Sequence, residues 1–200
     1  MTATIEYYNQ NAEQYAGDTI DVEFAATQNQ FLRLLPKGAA ILDFGCGSGR
    51  DTKLFLERGY YVDALDGSIE LCKIASRNTG IEVRQCLFEE FEAEEAYDGI
   101  WACSSILHLP KRDLKTVIEK LLRALKPGGY IYTSFKYGEF EGVRNGRYFT
   151  HFTEDTFQVF IKKVEDLEIV DLWISEDVRP GRHDEKWLNL ILRKEKVVER

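Results

Sequence analysis

Residues 41–51 read Ile-Leu-Asp-Phe-Gly-Cys-Gly-Ser-Gly-Arg-Asp, and this stretch decides the fold class. The apolar run of residues 39–44 ends abruptly in glycines, which is typical of a buried parallel strand. Gly45, Gly47 and Gly49 then allow the backbone to turn tightly and to approach a ligand at the carboxyl edge of a sheet. The stretch therefore predicts a strand, a ligand-binding loop and the beginning of a helix.

The alternation of strand and helix continues on both sides of this stretch. Residues 5–35 are predicted as two helices, broken near Gly17 and Asp18, and another helix begins near Pro110 with one apolar face. Further helices are predicted at 51–58, 68–75 and 153–164. Residues 126–129 are predicted as a turn. Further strands are predicted at 60–65, 81–87, 100–104 and 130–135.

The last third of the chain departs from this rhythm. Strands are predicted at 167–175 and 187–192, and the loop between them is too short for a parallel return. We therefore expect a single α/β domain built on a doubly wound, mostly parallel seven-stranded sheet with an antiparallel C-terminal hairpin.

Composition narrows the classes of function. The 200 residues are 44% hydrophobic and 30% charged, and no apolar run is long enough to cross a bilayer. With no secretory signal in its opening residues, the chain is expected to be cytoplasmic. A net charge of −8 disfavours nucleic acid as a partner. The four cysteines form no Cys-x-x-Cys pair, so no metal site is predicted.

An acidic residue after the second strand indicates what the glycine loop binds. Asp66 ends that strand, where a carboxylate can accept hydrogen bonds from both hydroxyls of a ribose. Together with the loop, it suggests an adenosine ligand. A dinucleotide-binding loop requires a third glycine at the position that Arg50 occupies here, which disfavours a nicotinamide cofactor.

The Gly-x-Gly-x-Gly spacing, with Asp43 two residues upstream, resembles motif I of the class I S-adenosylmethionine-dependent methyltransferases. Residues 97–102, 107–110 and 125–130 resemble three further segments of that family, and the C-terminal hairpin resembles the end of its sheet. The chain is thus similar to a small, single-domain bacterial-type member with a Rossmann-like sheet. The resemblance implies an N-terminal helical lid (1–36), a cofactor-binding core (37–135) and an acceptor-pocket region with the hairpin (136–200).

The resemblance also assigns roles around S-adenosylmethionine. The glycines and Asp43 are expected at its methionine part, Asp66 at its ribose, and Tyr8 and Tyr15 on the lid, where a tyrosine ring could attract the sulfonium. The full cofactor-binding set that it implies is Tyr8, Tyr15, Asp43, Gly45, Gly47, Gly49, Asp66, Gly67, Ser68, Leu87, Phe88 and Cys103.

Methyl transfer is an in-line displacement in which the enzyme contributes mainly proximity and alignment. A general base is needed only when the acceptor carries a proton, and His108, after the fourth strand, is the candidate. A histidine that merely packs there is the alternative.

The acceptor pocket is expected from two loops, residues 136–149 and 177–184, that carry arginines in an otherwise acidic chain. Arginine forks suit carboxylate or phosphate, so we expect a small anionic molecule as the acceptor. Surface arginines paired with nearby acids are the alternative. The candidate acceptor-binding residues are Lys136, Arg144, Arg147, Arg179, Arg182, His183 and Trp187.

Other functions stay open at this point. The chain could bind S-adenosylmethionine without catalysis, or could methylate RNA or protein. RNA is disfavoured by the acidic charge and by the absence of an appended basic module. A nicotinamide-dependent oxidoreductase is the rival from a different class. The atom methylated and the oligomeric state are not predicted.

Overall fold

The computed structural model describes residues 2–179 and 181–195. Its strands are β1 (Ala40–Phe44), β2 (Tyr61–Asp66), β3 (Arg84–Gln85), β4 (Tyr97–Ala102), β5 (Leu125–Lys136), β6 (Glu141–Arg144), β7 (Arg147–Thr150), β8 (Leu167–Glu176) and β9 (Lys186–Lys194). Its helices are α1 (Thr2–Gln10), α2 (Ala12–Thr19), α3 (Ala25–Leu32), α4 (Arg50–Glu57), α5 (Ile69–Thr79), α6 (Lys111–Ala124) and α7 (Glu154–Ile161). A 3₁₀ turn covers Ile106–His108.

The main sheet has seven strands in the order β3-β2-β1-β4-β5-β9-β8. Its first five strands are parallel, whereas β9 pairs antiparallel with both β5 and β8. The fold-class prediction is confirmed. Strand order reverses between β1 and β4, and ligands of doubly wound sheets bind at the carboxyl ends of the strands at such a switch point.

Apolar side chains cover both faces of the sheet. On one face, the apolar side of α6 and the aromatic residues of α7 form the larger core cluster. On the other face, Phe31 of α3 and Phe55 of α4 pack against Trp101, whose ring stacks on Tyr132 at 4.0 Å between centroids. All four are fully buried, so the strands that carry the switch point are held rigidly.

The prediction for the N-terminal region was wrong in detail. Residues 2–32 form three helices, and Gly17 and Asp18 lie inside α2 instead of at a break. Helix propensity and packing against α5 override the single glycine, whose hydrogen position faces open space. The breaks fall at Asn11 and at residues 20–24.

Two further predictions differ from the structure. Residues 126–129, predicted as a turn, fall within the bounds of β5 but interrupt its pairing with β4, which passes from Leu125 opposite Tyr97 to Tyr130 opposite Gly99. Gly128 takes a positive φ of 80° in this bulge. Residues 136–149, predicted as a loop, contain the β6–β7 hairpin, with Asn145 and Gly146 at its tip. This hairpin stands over the carboxyl end of the main sheet.

Within the described residues, none of the helices combines the length and the apolar character that crossing a bilayer requires.

Candidate active site

The glycine loop connects β1 to α4 at the switch point. Gly45, Gly47 and Gly49 all have positive φ values, of 85°, 57° and 78°. A Cβ at Gly45 would lie 2.5 Å from the Ser105 side chain, and one at Gly47 would lie 3.1 Å from the ring of Tyr15. Glycine is therefore required at both positions, because the backbone forms the wall of a cavity there.

That cavity, which we call the glycine-loop cavity, contains about 510 Å³ of empty space including its open mouth. Asp66 at the end of β2 lies in its wall and accepts hydrogen bonds from the backbone N–H of Gly47 (3.0 Å) and of Ser68 (2.8 Å). Burial raises the pKa of Asp66. The remaining wall is largely apolar and includes Ile5, Leu71, Leu87 and Phe88.

Helix α1 closes this cavity from above. Ile5 approaches the backbone of Gly67 so closely that a Cβ there would lie 2.4 Å from its Cδ1 atom. Asn9 Oδ1 accepts a hydrogen bond from the Ser68 hydroxyl at 2.7 Å, and Ser68 in turn caps α5 by accepting from the backbone of Leu71. The predicted lid is thus seated on the residues after β2, although Ser68 itself lies outside the wall of the cavity.

A second cavity continues from the first and contains about 1030 Å³ of empty space, including its open part. The two share Tyr8, Tyr15, Gly45, Ser104 and His108 as walls. We call it the cationic cavity because its wall also contains Arg50, Lys136, Arg147, Arg179 and Arg182.

His108 stands where the two cavities meet. Its Nδ1 atom lies 2.6 Å from the carbonyl oxygen of Tyr148, and its Nε2 atom lies 2.9 Å from the Tyr8 hydroxyl. A carbonyl only accepts, so Nδ1 carries the proton and Nε2 accepts from Tyr8. Burial, together with the charges of Arg147 and Lys136, lowers the pKa of His108 to about 4. The imidazole is therefore neutral at pH 7.

Arg147 of β7 projects its guanidinium into the cationic cavity. The group lies over the rings of Tyr7 (4.4 Å) and Phe149 (5.1 Å), and Nη1 donates a long hydrogen bond of 3.5 Å to the Tyr8 hydroxyl. Its Nε atom is buried without a partner, and no carboxylate pairs with the guanidinium in the part of the chain that the structure describes. The site thus contains a positive charge that the protein does not neutralise locally.

The other cations of this cavity do have partners. Arg179 forms a two-pronged ion pair with the buried Asp177, and hydrogen bonds from Arg179 outweigh burial and lower the pKa of Asp177 to about 2. Lys136 and the half-exposed Arg182 both pair with Glu185. Trp187 lines the same wall and donates to Asp177 at 3.1 Å.

Four predicted site residues lie outside the walls of both cavities: Ser68, described above, and Gly49, Arg144 and His183. Gly49 is the N-cap of α4 and packs against α5, where a Cβ would lie 2.8 Å from Thr79. Arg144 is exposed and stacks on Phe140. His183 is exposed as well, 3.9 Å from Glu176. The remaining predicted residues line one or both cavities, Asp43 and Cys103 in the cationic one.

One group of site residues went unrecognised in the sequence. Arg50 lines the cationic cavity beside Asp43, and Asp51 behind it is buried in a network with Gln28 and Trp101. From the sequence, Arg50 is noted only because it replaces the third glycine of a dinucleotide-binding loop. Its position at the first turn of α4, directly after the glycine loop, was the signal that could have identified it.

The residues present fit S-adenosylmethionine. The Asp66 carboxylate can accept from ribose hydroxyls, Leu71, Leu87 and Phe88 offer an apolar surface to an adenine ring, and the glycine loop leaves room for the methionyl chain. His108 and Tyr8 stand where this cavity opens into the cationic one. A reacting methyl group and its acceptor would meet at that opening.

Comparison with known proteins gives the same family. The family model described as a methyltransferase domain matches residues 41–129. A ubiquinone biosynthesis O-methyltransferase of Xanthomonas axonopodis pv. citri is 35% identical over 109 residues, which is 51% of this chain and 45% of that protein. Its counterpart in Xylella fastidiosa is 33% identical over 104 residues. The chain thus spans about half the length of the curated relatives it matches.

Solved structures share the fold over almost the whole chain. The 1,6-didemethyltoxoflavin-N1-methyltransferase of Burkholderia thailandensis, solved with 1,6-didemethyltoxoflavin and S-adenosylhomocysteine, has a TM-score of 0.76 at 21% identity, covering 98% of this chain and 88% of that one. The N-methyltransferase NodS of Bradyrhizobium japonicum, in complex with S-adenosylhomocysteine, has a TM-score of 0.70 at 18% identity, covering 93% and 97%.

The motifs, the sheet order and the family match agree with one another. The glycine loop and Asp66 lie within the matched residues 41–129, and the seven-stranded sheet with its antiparallel end is the architecture of the solved relatives. Over residues 41–129 the chain therefore matches the methyltransferase-domain family, and its fold is that of solved S-adenosylmethionine-dependent methyltransferases.

Proposed function

We propose that this protein transfers a methyl group from S-adenosylmethionine to a small, anionic acceptor. The observation that carries the proposal is the junction of the two cavities at Tyr8 and His108, with the unpaired guanidinium of Arg147 on the acceptor side. The similarity to a methyltransferase domain supports the methyl transfer. The environment of Arg147 supports the anionic acceptor.

The chain divides the work among three regions in this proposal. Helices α1 and α2 of the N-terminal region cover the bound cofactor, whereas α3 packs on the sheet, and residues 37–135 hold the cofactor through the glycine loop and Asp66. Residues from 136 onward supply Lys136, Arg147, Arg179, Arg182 and Trp187 to the acceptor. Arg144 and His183, which are exposed, are left as weaker candidates.

The acceptor's charge follows from electrostatics. A guanidinium with no carboxylate partner favours an anion strongly, because charge-assisted hydrogen bonds in a site shielded from water are about twice as strong as neutral ones. Phe149, Trp187 and Leu107 provide apolar walls around it. These features suit a small carboxylate, phosphate or phenolate better than a macromolecule.

When bound, the cofactor supplies an activated methyl group on a sulfonium. The protein then contributes alignment: Tyr8 and His108 fix the passage between the cavities, and Arg147 orients the acceptor. His108 is neutral with Nε2 as the accepting atom, so it can receive a proton through Tyr8. Its low pKa makes it a weak base, which suits an acceptor that is already ionised.

Calorimetric titration of S-adenosylhomocysteine tests the first half. We expect micromolar binding to the wild type and none to Asp66→Ala, with Asp63→Ala on the exposed side of the same strand as the matched control. A wild type that binds no S-adenosylhomocysteine would overturn the proposal. A screen of small carboxylates, phosphates and phenols then tests the second half, with methylated product as the readout.

For any acceptor found, we expect Arg147→Met to raise KM about 10- to 100-fold, the cost of a lost hydrogen bond to a charged group. The exposed Arg144→Met is its control. Unchanged KM in Arg147→Met would contradict the anionic acceptor. Binding of cofactor without turnover across the screen would favour a non-catalytic S-adenosylmethionine-binding protein.

A further inference from the structure

Arg50 occupies a position that its ion pair with Asp51 does not account for. Its Nε and Nη2 atoms both donate to Asp51, at 2.8 and 2.9 Å. The Nη1 atom donates to no protein acceptor within the described residues. It is not buried, so it can reach a ligand or solvent. This edge of the guanidinium therefore faces the cavity, next to Asp43 and Ser48.

The surroundings of Arg50 hold the guanidinium in one place. Asp51 is buried and accepts four hydrogen bonds, two from Arg50 and one each from Gln28 (2.6 Å) and Trp101 (2.8 Å). With its lone pairs used, Asp51 has no capacity left for a ligand. The Phe24 ring covers the guanidinium at 4.8 Å, and the Arg50 side chain is only 19% exposed.

A purely structural ion pair would not need so many supporting contacts. A buried pair alone is weak evidence for added stability, because desolvation offsets its attraction. Here all the lone pairs of the Asp51 carboxylate accept hydrogen bonds, while Arg50 keeps one donor edge free in the wall of the cationic cavity. A preorganised arginine edge suits a carboxylate, since its N–H groups match the geometry of the two oxygens.

We propose that Arg50 binds the α-carboxylate of the methionyl moiety of S-adenosylmethionine, and that Asp51, Gln28 and Trp101 position it for that role. Asp43, in the same wall, is left for the ammonium group, to which its side-chain oxygens can accept hydrogen bonds. The inference rests on the proposed function, because it concerns how the same cofactor is held.

The test compares two probes that differ only in this carboxylate: S-adenosylhomocysteine and its decarboxylated analogue, which keeps the amine. In the wild type we expect the decarboxylated analogue to bind about 10- to 100-fold more weakly. In Arg50→Met we expect S-adenosylhomocysteine to lose about that factor, while affinity for the analogue changes less than about threefold. Titration calorimetry measures all four affinities.

The variants are designed to separate positioning from folding. Arg50→Lys keeps the charge but loses the planar fork, so we expect an intermediate loss that is specific to S-adenosylhomocysteine. Asp51→Asn keeps the Arg50 charge and weakens its anchor, with the same selective loss expected. Arg58→Met, an arginine at the far end of α4, is the control and should bind both probes like the wild type.

The outcomes are distinguishable. Equal losses for both probes in Arg50→Met, or equal affinity of the wild type for the two probes, would overturn the role of Arg50 while leaving the cofactor assignment intact. The wild-type comparison needs no substitution, so it decides the question even if Arg50→Met fails to fold. Binding of neither probe to the wild type would instead overturn the proposed function itself.

Discussion

His108 shows how one residue's surroundings decide its chemistry. The carbonyl of Tyr148 fixes the proton on Nδ1, and the Tyr8 hydroxyl donates to Nε2, so protonation of Nε2 would reverse the direction of that hydrogen bond. Burial adds to this preference and lowers the pKa of His108 to about 4. A histidine near the acceptor is thereby kept as a hydrogen-bond acceptor throughout the physiological pH range.

This pKa predicts a pH dependence of stability. The unfolded chain takes up a proton at His108 as pH falls through about 6.5, whereas the folded chain does so only near 4. The contribution of neutral His108 to the free energy of unfolding is therefore fully present above about pH 6.5. It decreases as pH falls toward about 4, by at most about 1.4 kcal/mol per pH unit. Urea unfolding of wild type and His108→Gln between pH 7 and 4.5 measures it.

The difference between the two proteins is the informative quantity in that experiment. Asp43, whose pKa burial and Asp51 raise to about 8, acts in the opposite direction and is present in both. We expect the wild type to lose stability relative to His108→Gln as pH falls. A difference that stays constant with pH would show that His108 titrates normally in the folded protein.

Gly49 joins the glycine loop to α4 and determines how closely α4 packs on α5. Gly49→Ala combines the strain of a positive φ, about 1–2 kcal/mol, with a contact of 3.2 Å to the backbone of Ala75. Gly59 also has a positive φ, of 83°, but has open space around it. We expect Gly49→Ala to lower the free energy of unfolding by at least about 1 kcal/mol more than Gly59→Ala.

Denaturant unfolding of both variants isolates the packing contribution, since the change in unfolded-state entropy is common to the two. Equal losses would mean that α5 yields to the added methyl group, and that the crossing of α4 and α5 does not depend on this glycine.

Elements with strong local signals were predictable, and elements that depend on distant contacts were not. The buried strands β1 and β4 and the amphipathic α6 appear near their predicted positions. Strand β3 keeps only Arg84 and Gln85, because it pairs with the end of β2 alone. The β6–β7 hairpin is held by tertiary contacts, such as Tyr148 N–H to Thr4 Oγ1 at 3.0 Å, that no local pattern encodes.

The same distinction applies to the site. Gly45, Gly47 and Asp66 follow from a spacing that the fold itself demands, so the sequence indicates them directly. The roles of Arg50 and Arg147 depend on which acids lie nearby in space: Asp51 pairs with Arg50, while Arg147 has no carboxylate partner within the described part of the chain. Four arginines that looked equivalent in the sequence, Arg144, Arg147, Arg179 and Arg182, are distinguished only by these contacts.

On the scale of the whole molecule, α1 links regions that are distant in sequence. It contacts the residues after β2 through Asn9, the hairpin through Thr4, and His108 through Tyr8. Because α1 forms a wall of both cavities, we infer that it moves aside to admit the cofactor. Opening of this lid is therefore expected in the free protein.

We predict that saturating S-adenosylhomocysteine slows amide hydrogen exchange in residues 2–10 and 141–150 more than in β1 and β4, whose exchange is already slow in the free protein. The ligand stabilises only the closed state, so it should raise the melting temperature as well. Hydrogen-exchange mass spectrometry measures the pattern, with Asp66→Ala as the control that shows no ligand effect. Protection restricted to residues 45–49 would contradict closure by α1.

The positions of two tryptophans give the chain an optical consequence. Trp101 is sealed from water, stacks on Tyr132 and donates to Asp51, one hydrogen-bonded step from Arg50. Trp187 lies in the wall of the cationic cavity. A charged group that binds beside Arg50 should change the electric field at the Trp101 indole. An acceptor in the cationic cavity should displace water from the Trp187 indole. Intrinsic fluorescence of single-tryptophan variants therefore offers separate, label-free signals for a ligand at Arg50 and for a ligand at Trp187.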